Sequence, residues 1–172
     1  MIKFLLAIAT LSFASTNASG QKKGEQLEVE WPIEYNWKVV QNTNDESTRQ
    51  VMIIPGNEKL QKATIIGSIK AYLRISAITV DSIILWYRSQ LDSGSKLTVI
   101  DRNDTTRAPW VIFKVETPIT PKYPIPESDL YYVRQGQFAL FENYVAIRRP
   151  SFDEEFLNKW VKILKTAELV MK

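Results

Sequence analysis

Ser93 and Lys96 stand as Ser-x-x-Lys, the spacing at which a lysine amine can activate a serine hydroxyl for acyl transfer. The four residues lie between a helical pattern that ends near Leu91 and a β-rich run that begins at Lys96. The motifs that accompany this pair in penicillin-binding enzymes are only grazed by Ser128-Asp129-Leu130 and Lys165-Thr166-Ala167. We read Ser93 to Lys96 as a turn. With no His and no Cys, the chain lacks the usual general base near neutral pH and every Ser-His or Cys-His nucleophile. Lys, Tyr and carboxylates remain.

Asp153-Glu154-Glu155, or Asp101 with Asp104, could offer carboxylates to a cation. Acids in a first helical turn and Asp in a tight loop have local structural reasons to be there, and the Asp-rich twelve-residue calcium loop is missing. Asn103-Asp104-Thr105 is a glycosylation sequon by pattern and also turn chemistry. No glycine-rich phosphate-cradling loop occurs. A paired-carboxylate glycosidase site has no fixed spacing in a sequence and stays open. No catalytic, cofactor-binding or metal-ligating residue is therefore assigned, and no cofactor is expected.

Aromatic residues are plentiful: Trp31, Tyr35, Trp37, Trp86, Tyr87, Trp110, Tyr131, Tyr132, Tyr144 and Trp160. Adjacent side chains in a strand or helix point apart, so one of Trp86 and Tyr87, and one of Tyr131 and Tyr132, should lie outside the main core stripe. Such residues suit either a sugar- or peptide-binding patch or cover for a sheet edge.

The elements that must position these groups follow from periodicity. A short strand is expected near Trp37 to Val40, a polar loop from Asn42 to Thr48, and a strand from Gln50 to Ile54 closed by Pro55-Gly56. From Ala63 to Ile75 apolar and polar residues alternate, the mark of a strand with one buried face. Val80, Ile83, Ile84, Tyr87 and Leu91 then follow helical spacing after Thr79, a good N-cap. Lys96 to Asp101 and Pro109 to Thr117 should pair as an antiparallel hairpin across Arg102 to Arg107. Four prolines between Thr117 and Pro126 impose an extended loop. Leu130 to Gln135, Phe138 to Phe141 and Tyr144 to Arg149 are strand-like, with turns near Gln135-Gly136 and at Glu142-Asn143. A last helix opens on Ser151 and Glu154, an S-x-x-E capping box, with Phe156, Trp160, Ile163, Leu164 and Ala167 on one face.

The N-terminus is patterned for export. Lys3 is followed by an apolar stretch from Phe4 to Leu11, far short of the about 20 residues that cross a bilayer. Thr16 and Ala18 place a signal-peptidase cut after Ala18, with Gly20 the next candidate. The reading is a signal peptide over residues 1–18, a flexible lead-in over 19–28 and one domain over 29–172. The domain has no Cys for disulfides or lipid attachment, and must hold itself together with an ordinary core. Of 172 residues, 22 are Lys or Arg and 19 Asp or Glu, with no basic run longer than two. No nucleic-acid footprint is visible.

The segment from Trp31-Pro32 through Trp37-Lys38-Val39-Val40 to Ile53-Ile54-Pro55-Gly56 resembles the opening of the PsbP-like fold, and the order of later elements agrees. That group includes an extrinsic photosystem II protein, a Ran-binding import factor and bacterial domains of unknown function. The resemblance implies an α+β fold: an antiparallel sheet of about six strands covered by a mid-chain and a C-terminal helix, an α/β/α sandwich. It also implies a binding or assembly module. An export signal fits neither photosystem nor nuclear work, so no site residue is carried over.

The expectation is an exported, non-enzymatic binding or accessory protein, periplasmic or secreted, with a protein or small ligand of the cell envelope as partner. Neither a nucleic-acid partner nor a membrane span is expected. The alternative is a small hydrolase or lyase that uses carboxylates and Tyr on cell-wall or carbohydrate material. A pocket lined by two acids of raised pKa would favour it.

Overall fold

The computed structural model describes residues 24–105, 107–121 and 124–172, with the backbone of Ala9–Thr10, which pairs with Glu30–Trp31. The expected signal peptide, residues 1–18, otherwise lies outside the described residues, as does the lead-in up to residue 23.

Among the described residues, nine longer strands and two α-helices follow in chain order: β1 (Glu25–Glu28), β2 (Lys38–Asn44), β3 (Thr48–Ile54), β4 (Ile65–Leu73), α1 (Val80–Ser89), β5 (Lys96–Asn103), β6 (Trp110–Thr117), β7 (Glu127–Gln135), β8 (Ala139–Ile147), α2 (Glu154–Lys165) and β9 (Glu168–Met171). Strands β2 to β8 form one antiparallel sheet in the order β2-β3-β4-β8-β7-β6-β5, and β1 pairs with β9 apart from it. The fold is a mostly-sheet α+β domain, with seven strands in the main sheet where about six were expected.

Alternate residues of the central strands feed two cores. Phe141, Val145 and Ile147 of β8 pack with Trp160 and Leu164 of α2, while Leu140 of the same strand packs with Val80, Ile83, Ile84 and Tyr87 of α1. Side chains at neighbouring strand positions leave opposite faces of a sheet, so the two helices cover opposite faces. Tyr132 belongs to the α2 core and Tyr131 lines the α1 core, so both members of that adjacent pair pack inward. Trp86 and Tyr87 do divide as expected, 48 % and 9 % exposed.

Three local expectations are corrected. Glu142-Asn143 is not a turn, because β8 runs unbroken from Ala139 to Ile147 and pairs with β4 and β7 on either side; paired central strands override two turn-forming residues. Glu25–Glu28 are no flexible lead-in. They pair with β9, a four-residue strand too short to announce itself, and bury Leu27 in the α2 core. The Glu25 carboxylate also accepts from the amides of Gln137 and Phe138, tying β1 to the β7–β8 turn.

The third correction is the α2 cap. Asp153, not Ser151, is the N-cap, its carboxylate accepting from the Phe156 amide at 2.7 Å, and α2 starts at Glu154. An N-cap is worth about 1 kcal/mol, and more with an anion at the positive helix end. Asp153→Ala should therefore lower stability by about 1 kcal/mol in urea unfolding, with Ser151→Ala near neutral. The reverse ranking would restore the capping box.

Candidate functional site

The face of the sheet under α1 is unusual for what its strands point into it. On β7 the alternation Glu127, Asp129, Tyr131, Val133 faces α1, and on β8 the matching positions are Leu140, Glu142, Tyr144 and Ala146. Register sets Tyr144 opposite Tyr131 and Ala146 opposite Asp129, while β4 places Ser68 beside Tyr144 and Lys70 beside Glu142. Three carboxylates and a group of tyrosines from strands far apart in sequence thus share one surface. Helix α1 packs with residues of β6, β7 and β8, and the same face of β2 and β3 carries exposed or half-buried Gln41, Thr43, Gln50 and Met52.

Glu142 is 5 % exposed and held from two sides. The Tyr72 hydroxyl donates to its Oε2 at 3.1 Å, and the Tyr87 hydroxyl donates to the same oxygen. Burial and the neighbouring carboxylate push both phenols upward, Tyr87 well above the usual range, so both remain donors. Tyr131 stacks on Phe113 with ring centres 5.0 Å apart and meets Tyr87 at 5.1 Å and Tyr144 at 5.3 Å. Its phenol is raised by burial first, then by the Asp129 charge, and its hydroxyl has no hydrogen-bond partner among the described residues. Burial, then Asp129, lifts the Tyr144 phenol to about 12.

Asp129 differs from Glu142 in having no partner. It is 9 % exposed, flanked across the strands by Val115 and Ala146, and makes no hydrogen bond or ion pair among the described residues. Burial raises its pKa to about 8, with Glu127 and Glu142 adding to the rise, so the carboxyl holds its proton at neutral pH. Glu127 is raised too, by burial, against an opposing pull from Arg148. A buried acid without a donor costs stability unless it stays neutral or meets a ligand.

The groups singled out by spacing lie elsewhere. Ser93 lies exposed in the turn before β5 and Lys96 lies exposed at the start of β5, while Ser95 between them reaches the Thr117 hydroxyl at 3.1 Å. Asp101 pairs with Lys165, and Asp104 with Arg102, which also reaches Asp81 at the start of α1. Asn103 Oδ1 accepts from the Thr105 amide, as a turn former does. Trp31, Tyr35, Trp37 and Trp160 form one cluster in the α2 core, with Trp31 and Trp160 5.7 Å apart. A cleft of about 420 Å³ opens where Trp110, Tyr132, Arg134 and Lys165 converge. Its charges are largely engaged, Lys165 by Asp101 and Arg134 by the Ala167 carbonyl.

Sequence reasoning passed over Glu127, Asp129 and Glu142. The available signal was an acid at alternate positions inside strands otherwise rich in Tyr, Val and Leu. Among the described residues no group of three or more acidic side chains is placed to hold a metal ion, and no helix is long and apolar enough to cross a membrane. No family model and no curated protein matches the chain.

Proposed function

We propose that the protein is an exported, non-enzymatic binding protein whose ligand sits on the α1 face of the sheet, against Asp129, Tyr131 and Tyr144. Asp129 carries this reading: an acid only 9 % exposed and without a partner among the described residues, in a domain that satisfies Glu142 on the neighbouring strand with two hydroxyls. Buried polar groups left unpaired cluster at functional sites. Aromatic walls beside a convergent polar group are the usual make-up of a ligand site. The PsbP-like resemblance supports a binding module in an α/β/α sandwich, and the pattern of residues 1–18 supports export; intact mass of the exported chain tests the cut after Ala18.

The test is an NMR titration of the protein with methyl glycosides, alkylammonium salts and short peptides. At least one solute class is expected to shift the amides of Asp129, Tyr131 and Tyr144 while the solute itself stays chemically unchanged. Shifts confined to other parts of the domain would overturn the reading.

One observation favours a second reading. Glu127 and Asp129 are two acids with raised pKa on one surface, as a carboxylate hydrolase would need for its proton donor. Under that reading Asp129→Asn abolishes turnover of a glycan substrate. Under the binding reading there is no turnover to lose.

A further inference from the structure

The charges around Asp129 specify what its partner must be. The acids on this face are Glu127 and Asp129 from β7 and Glu142 from β8; the bases are Lys70 from β4 and Arg148 just beyond β8. Arg148 is turned to the backbone, donating from both terminal nitrogens to the carbonyls of Leu60 and Gln61. The Lys70 ammonium lies over the Tyr72 ring, 4.4 Å from its centre. Glu142 has its two tyrosine donors. Across the strands Asp129 faces Val115 and Ala146, neither of which can donate, and α1 presents Tyr87, already given to Glu142. What this face does not offer Asp129 is a hydrogen-bond donor and, once the carboxyl ionises, a positive charge beside it.

We propose that the ligand of this face bears a primary ammonium on a hydrocarbon stem, the ammonium paired with Asp129 and the stem lying along Tyr131, Tyr144 and Val115. This rests on the binding reading above. An anion would be repelled by Glu127 and Glu142, and a neutral hydroxyl would satisfy a hydrogen bond but not the charge. Tyrosine faces favour a cation beside them, and the apolar wall accepts methylenes. The unpartnered Tyr131 hydroxyl is the natural acceptor for a second ammonium proton. An alkylamine and a lysine side chain of a peptide share this chemistry.

Binding of the ammonium requires the carboxylate, so the Asp129 proton leaves to solvent as the ligand enters. The experiment is calorimetry of the full protein with pentylammonium, with 1-pentanol as the neutral isostere and with a blocked Gly-Lys-Gly peptide, from pH 6 to 9. Pentylammonium affinity should rise close to tenfold per pH unit from pH 6 to 8 and level off above, with about one proton released per ligand at pH 6. Asp129→Asn should remove the pH dependence and weaken binding at pH 8 by a factor of ten or more. Tighter binding of the peptide than of pentylammonium identifies a protein chain as the source; the opposite identifies a free amine.

An affinity flat from pH 6 to 8, or pentanol binding as tightly as pentylammonium, would overturn the ammonium assignment. Neither measurement needs a variant to fold. If a glycoside shifts the Asp129 and Tyr131 amides while pentylammonium does not, the ammonium assignment fails and the binding reading survives. If no solute shifts them, both fail.

Discussion

Trp160→Ala is expected to lower the free energy of unfolding by about 3–5 kcal/mol, the range for deleting a large aromatic from a packed interior. Trp160 is fully buried on α2, and its indole meets Trp31 at 5.7 Å, Phe156 at 5.9 Å, Tyr35 at 6.0 Å and Trp37 at 6.3 Å. These rings come from the segment before β2 and from α2, so one side chain ties together parts of the chain that the Lys159–Glu34 ion pair also joins. Collapse around the void is restricted, because Trp31 lies against Gly67 so closely that a methyl there would fall 2.6 Å from its ring. Small domains are stable by only about 5–15 kcal/mol, so the loss should be visible as a large fall in the urea midpoint followed by far-ultraviolet circular dichroism. Trp160→Phe should cost much less: the indole N–H has no hydrogen-bond partner among the described residues, and removing it abandons no bond there. Similar midpoints for Trp160→Ala and the parent would show that the cluster is ornamental.

The second large effect is a dependence of stability on pH that runs opposite to ordinary acid denaturation. In the unfolded chain Asp129 titrates near 3.8, and in the folded domain burial holds its pKa at about 8. Between those values the folded state keeps a proton that the unfolded state lacks. The contribution of this group is greatest below about pH 4, is lost as pH rises toward 8 at up to about 1.4 kcal/mol per pH unit, and changes no further above. Asp129→Asn, which cannot ionise, should match the parent near pH 4 and exceed it by several kcal/mol at pH 9. Urea unfolding of both proteins at pH 5, 7 and 9 gives the difference directly. A gap that does not widen with pH would mean that the carboxyl is solvated or paired in the folded protein. The raised pKa of Glu127 acts in the same sense and leaves a weaker slope in the variant.

Local signals carried much of the framework. Thr79 caps α1 with its hydroxyl accepting from the Ser82 amide, and Val80, Ile83, Ile84 and Tyr87 face inward as their spacing predicts. β5 and β6 pair antiparallel as their composition implies, although Arg102 and Asn103, expected in the turn, extend β5 and pair with Val111 and Trp110. What escaped was set by partners distant in sequence. Glu142 and Asn143 favour a turn in isolation, yet strands on both sides keep them extended. β9 has four residues, and only its pairing with β1 makes it a strand. The candidate site escaped for the same reason. Glu142 meets Tyr72 and Tyr87 only after β4, α1 and β8 have assembled, and no spacing along the chain foretells that Asp129 will lack a donor.

The pairing of β1 with β9 bears on how the molecule can be rewired. Gly24 and Lys172 exchange backbone hydrogen bonds at 2.6 and 2.9 Å, so the two ends of this stretch of chain lie side by side. A few glycines joining them would close the backbone with little strain, and new ends could open in the proline-rich crossing between β6 and β7, whose described residues belong to no strand. In such a circular permutant β7, with Glu127 and Asp129, would lead the chain and β6 would end it, and the whole tyrosine-lined face would have to assemble from the opposite ends of the polypeptide.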